Sequence, residues 1–275
     1  MIGLLNKLKK IKQLLMLPET CGIDLDAPDA METHRRIIQK KQFLHQWYGI
    51  YFDAVGRAEA ETAGLGGIAL ELGSGAGLLK EVYPSIITSD TIANAHIDRV
   101  EDAAALSFAD GTLRAVYCLN TLHHISDARC FFSELERCLM PGAVVVMLEP
   151  TMSRFARLVW RYLHHENCEA HWGWEFPQND GKRMTASNSA LPWIIFDRDR
   201  RLFDKDFPGL QVAEIRYFDI ALYLLSGGLS YRAFAPAWAF KYLYEVEKVI
   251  PQGVMKDTFA LFQIIKLRKK VTANV

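Results

Sequence analysis

The stretch ALELGSGAGLL, residues 69–79, sets a carboxylate, Glu71, just ahead of glycines at 73, 75 and 77. Glycine takes positive φ freely and leaves the main chain open to close approach by a ligand. An apolar run precedes the loop and a helical run follows it. The unpaired N–H groups of a helix start would then face the same point, and they suit a phosphate or a carboxylate. The dinucleotide fingerprint G-x-G-x-x-G is met at Gly73 and Gly75 but has Leu78 where its third glycine belongs. A tight strand-to-helix turn that binds nothing is the plain alternative. The downstream residues must decide.

SIITSD (85–90) reads as a second strand ending at Asp90. Ligands of α/β sheets sit outside the carboxyl ends of the strands, and an acid there can accept hydrogen bonds from both hydroxyls of a ribose. A helix or turn cap is the simpler use of such an Asp. HIDRVEDAAALSF (96–108) reads as a third short strand ending at Glu101 or Asp102. Asp102 is placed to accept an adenine amino proton, with the Ala103 amide facing a ring nitrogen. LRAVYCLNTLHHI (113–125) is a fourth strand running into Asn120, His123 and His124. DARCFFSELERCLMPGAVVVMLEP (127–150) gives an amphipathic helix, a Pro-Gly stop and an apolar strand. Such alternation predicts an α/β fold, a parallel sheet with helices on both faces.

In this order, LELGSGAG, SD, EDAAALSFADGTLRAVYCLNTLHHI and ELERCLMPGAVVVMLEP resemble the class I S-adenosylmethionine (SAM)-dependent methyltransferases of the type 11 kind. Glu71, Gly73, Gly75 and Gly77 fit that family's E-x-G-x-G-x-G loop without a slip. The resemblance covers roughly residues 67–150. It implies a Rossmann-like seven-stranded sheet of order 3-2-1-4-5-7-6, with SAM held by Glu71, Gly73, Ser74, Gly75, Gly77, Asp90, Asp102, Ala103 and Asn120. The chain departs from the pattern in one respect. Only twelve residues separate Gly77 from Asp90, so the first crossover helix must be short.

The rest of the chain is expected to frame this core. Residues 1–60 read as a helical cap, 61–150 as the SAM-binding core, and 151–275 as an acceptor-side region plus strands completing the sheet. Within the cap, 31–55 reads as one helix with a broad apolar face. It could cover the cofactor mouth, with Tyr48 or Tyr51 reaching the methionine end. Residues 58–67 read as the link into the first strand. Residues 152–166 and 196–209 read as helices, 167–193 as a long polar-aromatic loop, and 210–220 and 257–267 as the late strands.

In a chain of 275 residues, 32 basic and 32 acidic residues balance to zero, so no global field draws in nucleic acid. The five cysteines form no C-x-x-C and suit a reducing, cytoplasmic compartment. MIGLLNKLKKIKQLLML, residues 1–17, carries lysines at 7, 9, 10 and 12 and no acid. Its lysines interrupt the apolar run an export signal needs, and its length is short for a membrane span. It reads either as a helix lying on the inner face of a membrane or as one docked on the core.

For the chemistry, a hydroxyl acceptor needs somewhere to send its proton. His123 and His124 follow the fourth strand on the edge where methyl and acceptor should meet. Adjacent residues point apart, so one at most acts, and His124 is favoured. The Asn-Pro-Pro-aromatic turn of amino-group methyltransferases is missing after Asn120. That argues against methylation of DNA adenine or protein glutamine. The expected activity is O-methylation of a small-molecule, glycan or lipid-linked acceptor. N- or C-methylation and noncatalytic SAM binding are the alternatives. No metal is expected, although His164, His165, Glu166, Cys168 and His171 were weighed as ligands.

Overall fold

A computed structural model describes residues 15–20, 30–163, 166–177 and 186–271. Helix α1 (Ala30–Lys40) and helix α2 (Gln42–Thr62) precede the sheet. The strands are β1 (Ile68–Leu72), β2 (Ile87–Asp90), β3 (Arg99–Val100), β4 (Leu113–Leu119), β5 (Leu139–Pro150), β6 (Leu210–Phe218) and β7 (Phe262–Lys269). Between them lie helices α3 (Leu79–Val82), α4 (Ala128–Cys138), α5 (Arg154–Tyr162), α6 (Arg200–Asp206), α7 (Leu222–Ser226) and α8 (Ala239–Lys248).

The seven strands form one sheet of order β3-β2-β1-β4-β5-β7-β6. β1 pairs in parallel with β2 and β4, and β4 with β5. β7 runs antiparallel to both of its neighbours. This is the Rossmann-like order expected, and it brings two strands of the 151–275 region into the sheet. Strands β4 and β5 are buried almost throughout, as their apolar runs require of strands covered on both faces. Helix α2 packs across β4 and β5. Phe132 of α4 sits edge-on to Phe196 and Phe203, beside Trp174 and Phe207. The parallel strands end together at one edge, so the residues just after β1, β2 and β4, and the last residues of β5, are neighbours.

Several elements differ from the sequence reading. The helix over 31–55 is two helices, broken at Lys41, whose φ of −89° and ψ of 87° leave the helical region. The Lys41 ammonium donates to the carbonyls of Gly228 and Tyr231, and burial lowers its pKa to about 8. The stretch read as a link is helical as far as Thr62, because Ala58, Glu59, Ala60 and Glu61 all favour helix. The third strand is two residues long. The last strand starts at Phe262, because residues 255–259 form a wide turn in which Ala260 N–H reaches the Met255 carbonyl at 2.8 Å. A turn of the same kind, at 194–198, opens the stretch read as one helix over 196–209. Among the described residues, no helix is long and apolar enough to cross a membrane. Residues 1–14 of the basic N-terminal stretch lie outside the described residues.

Candidate active site

Strand β1 ends at Leu72 and the chain turns through three positive-φ glycines. They serve different ends. A Cβ on Gly73 would lie 2.4 Å from Thr121 Oγ1, and one on Gly77 would lie 2.2 Å from the His96 carbonyl oxygen. Those two are glycine because the protein packs against itself there. A Cβ on Gly75, whose φ is +50°, would meet only the Met31 sulfur, at 3.5 Å. Gly75 is the member of the triad that faces space a ligand can take. Its N–H donates to Asp90 Oδ2 at 2.9 Å, and Ser74 N–H donates to the Ser89 carbonyl at 2.8 Å, so the loop is drawn onto the end of β2. Helix α3 is a single turn, as the short spacing requires. The N–H groups of Ser74, Gly75 and Gly77 are all used within the protein.

Glu71 is buried. Its Oε1 accepts from Tyr51 Oη at 3.1 Å, while its Oε2 has no hydrogen-bond partner. Burial pushes its carboxyl up to about 8, against smaller opposing effects of hydrogen bonds from Ser74 and Tyr51. Asn120 sits at φ +51° with its N–H donating to the Leu148 carbonyl at 2.8 Å, and its Oδ1 is also buried without a partner. A buried acceptor left without a donor costs about 1–3 kcal/mol. Two of them after neighbouring strands call for a ligand rich in donors, and an ammonium group supplies three.

The acids at the next strand ends divide. Asp90 Oδ2 holds Gly75, and Oδ1 accepts weakly from Ile92 N–H at 3.3 Å. Glu101 turns inward to Ser107 Oγ and Arg99 Nε, both at 2.6 Å, and braces its own loop. Asp102 is exposed; its Oδ1 accepts from Ala104 N–H at 3.0 Å, beside the buried Ala103.

Beyond Asn120 the chain makes a short 3-10 turn, Leu122–His124, over the end of β5. Glu149, fully buried there, organises it. Oε1 accepts the N–H groups of Thr121 and Leu122 at 2.8 and 2.7 Å, and Oε2 faces His123 Nδ1 at 2.6 Å. His123 Nε2 lies 3.3 Å from Glu166 Oε2. Burial alone would lower the His123 pKa, but Glu149 and Glu166 on its two sides raise it to about 10. His123 therefore holds its proton at neutral pH. His124 is only half-buried, with Nδ1 3.4 Å from the Ala186 carbonyl oxygen and Nε2 3.8 Å from Glu166 Oε1. Ser189 Oγ donates to Glu166 at 3.1 Å.

His123, His124 and Glu166 form a group, among the described residues, whose ligating atoms lie within 4.8 Å of one another. Cys168 and His171 do not join it. Cys168 Sγ contacts Met152 Sδ at 3.3 Å, and His171 is exposed beside Glu169. His164 and His165 lie outside the described residues.

Helix α1 lies over the glycine loop. Met31 faces Gly75, Glu32 meets His96 at 2.7 Å, and Arg35 donates to the Ala76 carbonyl at 2.7 Å and pairs with Glu81. Tyr51 is fully buried against Glu71, while Tyr48 is half-exposed. The neighbouring Trp47 donates to Asp219 Oδ2 at 2.6 Å, and burial, with Glu247 adding to it, raises the Asp219 carboxyl to about 8. The sequence reading passes over Met31, Glu149 and Asp219, and takes Glu166 as a candidate metal ligand or a fallback base. Glu149 had a visible signal, an acid closing an apolar strand as Glu71 does.

Residues 70–147 match the family described as a methyltransferase domain. The chain carries a class I SAM-dependent methyltransferase domain. SAM is its cofactor. The chain is 28% identical over 134 residues to 2-methyl-6-phytyl-1,4-hydroquinone methyltransferase of Synechocystis sp., a match covering 41% of this chain and 39% of that protein. The match thus spans about two fifths of the length of that curated relative. Similar solved structures include a SAM-dependent methyltransferase from Archaeoglobus fulgidus, at 14% identity and TM-score 0.46, covering 80% of this chain and 94% of that one. The YcgJ protein from Bacillus subtilis is also similar, at 14% identity and TM-score 0.44, covering 83% of this chain and 100% of that one. The residues present fit SAM. Gly75 leaves room for it, and Glu71 and Asn120 offer buried acceptors to its ammonium group.

Proposed function

We propose that this protein transfers the methyl group of SAM to an oxygen atom of a small-molecule, glycan or lipid-linked acceptor. SAM supplies a methyl group already activated for in-line displacement. The chain's residues then have to hold the cofactor, orient an acceptor and take up a proton. Glu71 and Asn120 would hold the ammonium, Gly75 and Ser74 would lie against the cofactor, and Asp90 would take the ribose hydroxyls. Asp102 and Ala103 would face the adenine. The alignment of acceptor oxygen and methyl carbon supplies most of the acceleration.

The observation that carries the oxygen reading is the pair of unlike histidines. His123 is locked between Glu149 and Glu166 and keeps its proton, so it positions the turn. His124, half-buried on the same turn, is the imidazole suited to accept a proton from an acceptor hydroxyl near neutral pH. The Synechocystis relative, named for a phytyl hydroquinone, supports a lipid-linked acceptor; as the match covers only part of each chain, that support is limited to the core. A reading in which residues 1–17 hold the protein at the cytoplasmic face of a membrane suits such an acceptor.

The test is incubation with methyl-labelled SAM and a cell extract split into small-molecule, lipid, glycan, protein and nucleic-acid fractions. Label is expected in the lipid, glycan or small-molecule fraction, on an oxygen. Label on nitrogen or carbon would refute the oxygen reading. Tight SAM binding with no transfer to any fraction would leave a noncatalytic SAM-binding protein.

A further inference from the structure

Helix α8 has three faces. Phe240, Tyr244 and Glu247 turn inward, with Phe240 edge-on to Phe43 at 5.1 Å. Lys241, Glu245 and Lys248 form a charged strip at helical spacing. Trp238, Tyr242, Val246 and Val249 form a third strip and are 72, 67, 63 and 80% exposed. Phe234, just before the helix, is also exposed. Isolated apolar residues at a surface need no explanation, but a contiguous strip of this kind marks an interaction site.

The strip has a continuation. From Val249 the chain runs to the turn at 255–259, where Phe259 is exposed, and α5 packs against that turn. Helix α5 leaves Leu158 and Tyr162 to water and carries Arg154, Arg157 and Arg161 with no acid. It starts just after Pro150, the last residue of β5, so this surface borders the edge that Glu149 closes. The basic N-terminal stretch arrives here as well. Arg232 N–H donates to the Leu15 carbonyl and Leu17 N–H to the Ser230 carbonyl, each at 2.9 Å. The segment that follows lysines 7, 9, 10 and 12 in sequence is thus anchored at residues 230–232, shortly before Phe234 and Trp238 in the chain.

We propose that the exposed strips of α8 and α5 form a surface that docks on an anionic lipid bilayer. Tryptophan and tyrosine suit the boundary between headgroups and acyl chains, and valine and leucine suit the layer beneath. The flanking charge is mostly of one sign. Helix α5 carries three arginines and no acid, Arg232 is exposed, and Glu245 is paired with Lys248 at 2.7 Å. The chain as a whole is neutral, so this excess is local. It matches anionic headgroups and falls off with salt. Two copies set face to face through α5 would bring arginines against arginines, which disfavours self-association. The inference extends the membrane reading for residues 1–17, and the exposed strips support it independently.

The test is co-sedimentation of the full chain with vesicles of phosphatidylcholine, with and without phosphatidylglycerol. Three proteins are compared: the wild type, W238A/Y242A/V246S, and K7Q/K9Q/K10Q/K12Q. Trp238, Tyr242 and Val246 are exposed, and SAM binding by each variant checks its fold. The wild type should bind the anionic vesicles, less so at high salt, and bind pure phosphatidylcholine weakly. The α8 variant should lose about tenfold or more in partitioning. Unchanged partitioning of that variant would overturn the α8 surface while leaving the N-terminal reading in place, which the lysine variant tests by itself. No binding by the wild type would overturn both. A dimer in light scattering that the α8 substitutions dissociate would assign the strip to a second copy instead.

Discussion

SAM binding should release a proton, and Glu71 should be its source. With its carboxyl near 8, Glu71 is mostly protonated at pH 7 before the cofactor arrives. An ammonium placed at Oε2 favours the charged form, so the group ionises on binding. The sign follows. The complex has the lower pKa and the free protein the higher one, so binding strengthens as pH rises toward 8. Ionising Glu71 at pH 7 costs about 1.4 kcal/mol, which weakens SAM roughly tenfold relative to the limit at higher pH. At pH 6 the weakening is roughly a hundredfold. Above about 8 the gain stops, because an α-amino group begins to lose its own proton there.

Calorimetry reads this directly. SAM is titrated at pH 7 into the protein in buffers of different ionisation enthalpy, and the slope of observed heat against that enthalpy counts the protons released. Roughly 0.9 proton per SAM is expected at pH 7, falling to roughly half at pH 8. Glu71→Gln should bind more weakly and release close to none. The demethylated product keeps the same ammonium and should release the same number. A slope near zero in the wild type would refute the placement of the ammonium at Glu71. So would an equal slope in Glu71→Gln.

Two further outcomes separate the parts of the site. Asp90→Ala should weaken SAM by about 2–3 kcal/mol, from lost charge-assisted bonds to ribose and the freed Gly75 amide, and Gly75→Val should block binding sterically; unchanged affinity by calorimetry in both variants would remove this loop from the site. Once an acceptor is in hand, His124→Asn should lose about 10²–10⁴-fold in turnover and the acid limb of the pH profile at unchanged SAM affinity, and near-wild-type turnover from pH 6 to 9 would end its role as base.

The sheet was legible because its signals are local. The apolar runs of β1, β4 and β5 and the glycines at 73, 75 and 77 each act on their own stretch of chain, whereas Pro141 and Gly142, read as a stop ahead of the strand, lie inside β5, which already starts at Leu139. What escaped depends on partners distant in sequence. The helix break at Lys41 is held by carbonyls near residue 230, and nothing close to Lys41 announces it. The two residues of β3 are set by pairing with Ser89 and Asp90 rather than by their own character. The triad looked uniform in sequence, yet Thr121 and His96 impose two of its glycines and leave Gly75 as the one facing open space. Glu101 and Asp102 were equivalent until Arg99 and Ser107 drew Glu101 inward.

The histidines make the same point in chemical form. As neighbours in LHH they have one composition and one expected role, and only the carboxylates around them tell them apart. Glu149 arrives from the end of β5 and Glu166 from beyond α5, so both nitrogens of the His123 ring meet an acid. Glu149 is the stronger influence, and Glu166 adds to it. One acid beside a buried imidazole would orient it and leave the other nitrogen available as a base. Two acids make the protonated ring the favoured state, and a ring that keeps its proton cannot accept another. The arrangement thus uses His123 to hold the turn, and with it Thr121, whose side chain packs on Gly73. His124, carried on the same turn with more access to solvent, meets Glu166 at 3.8 Å and the Ala186 carbonyl at 3.4 Å, which is why the proposed base is His124 and not His123.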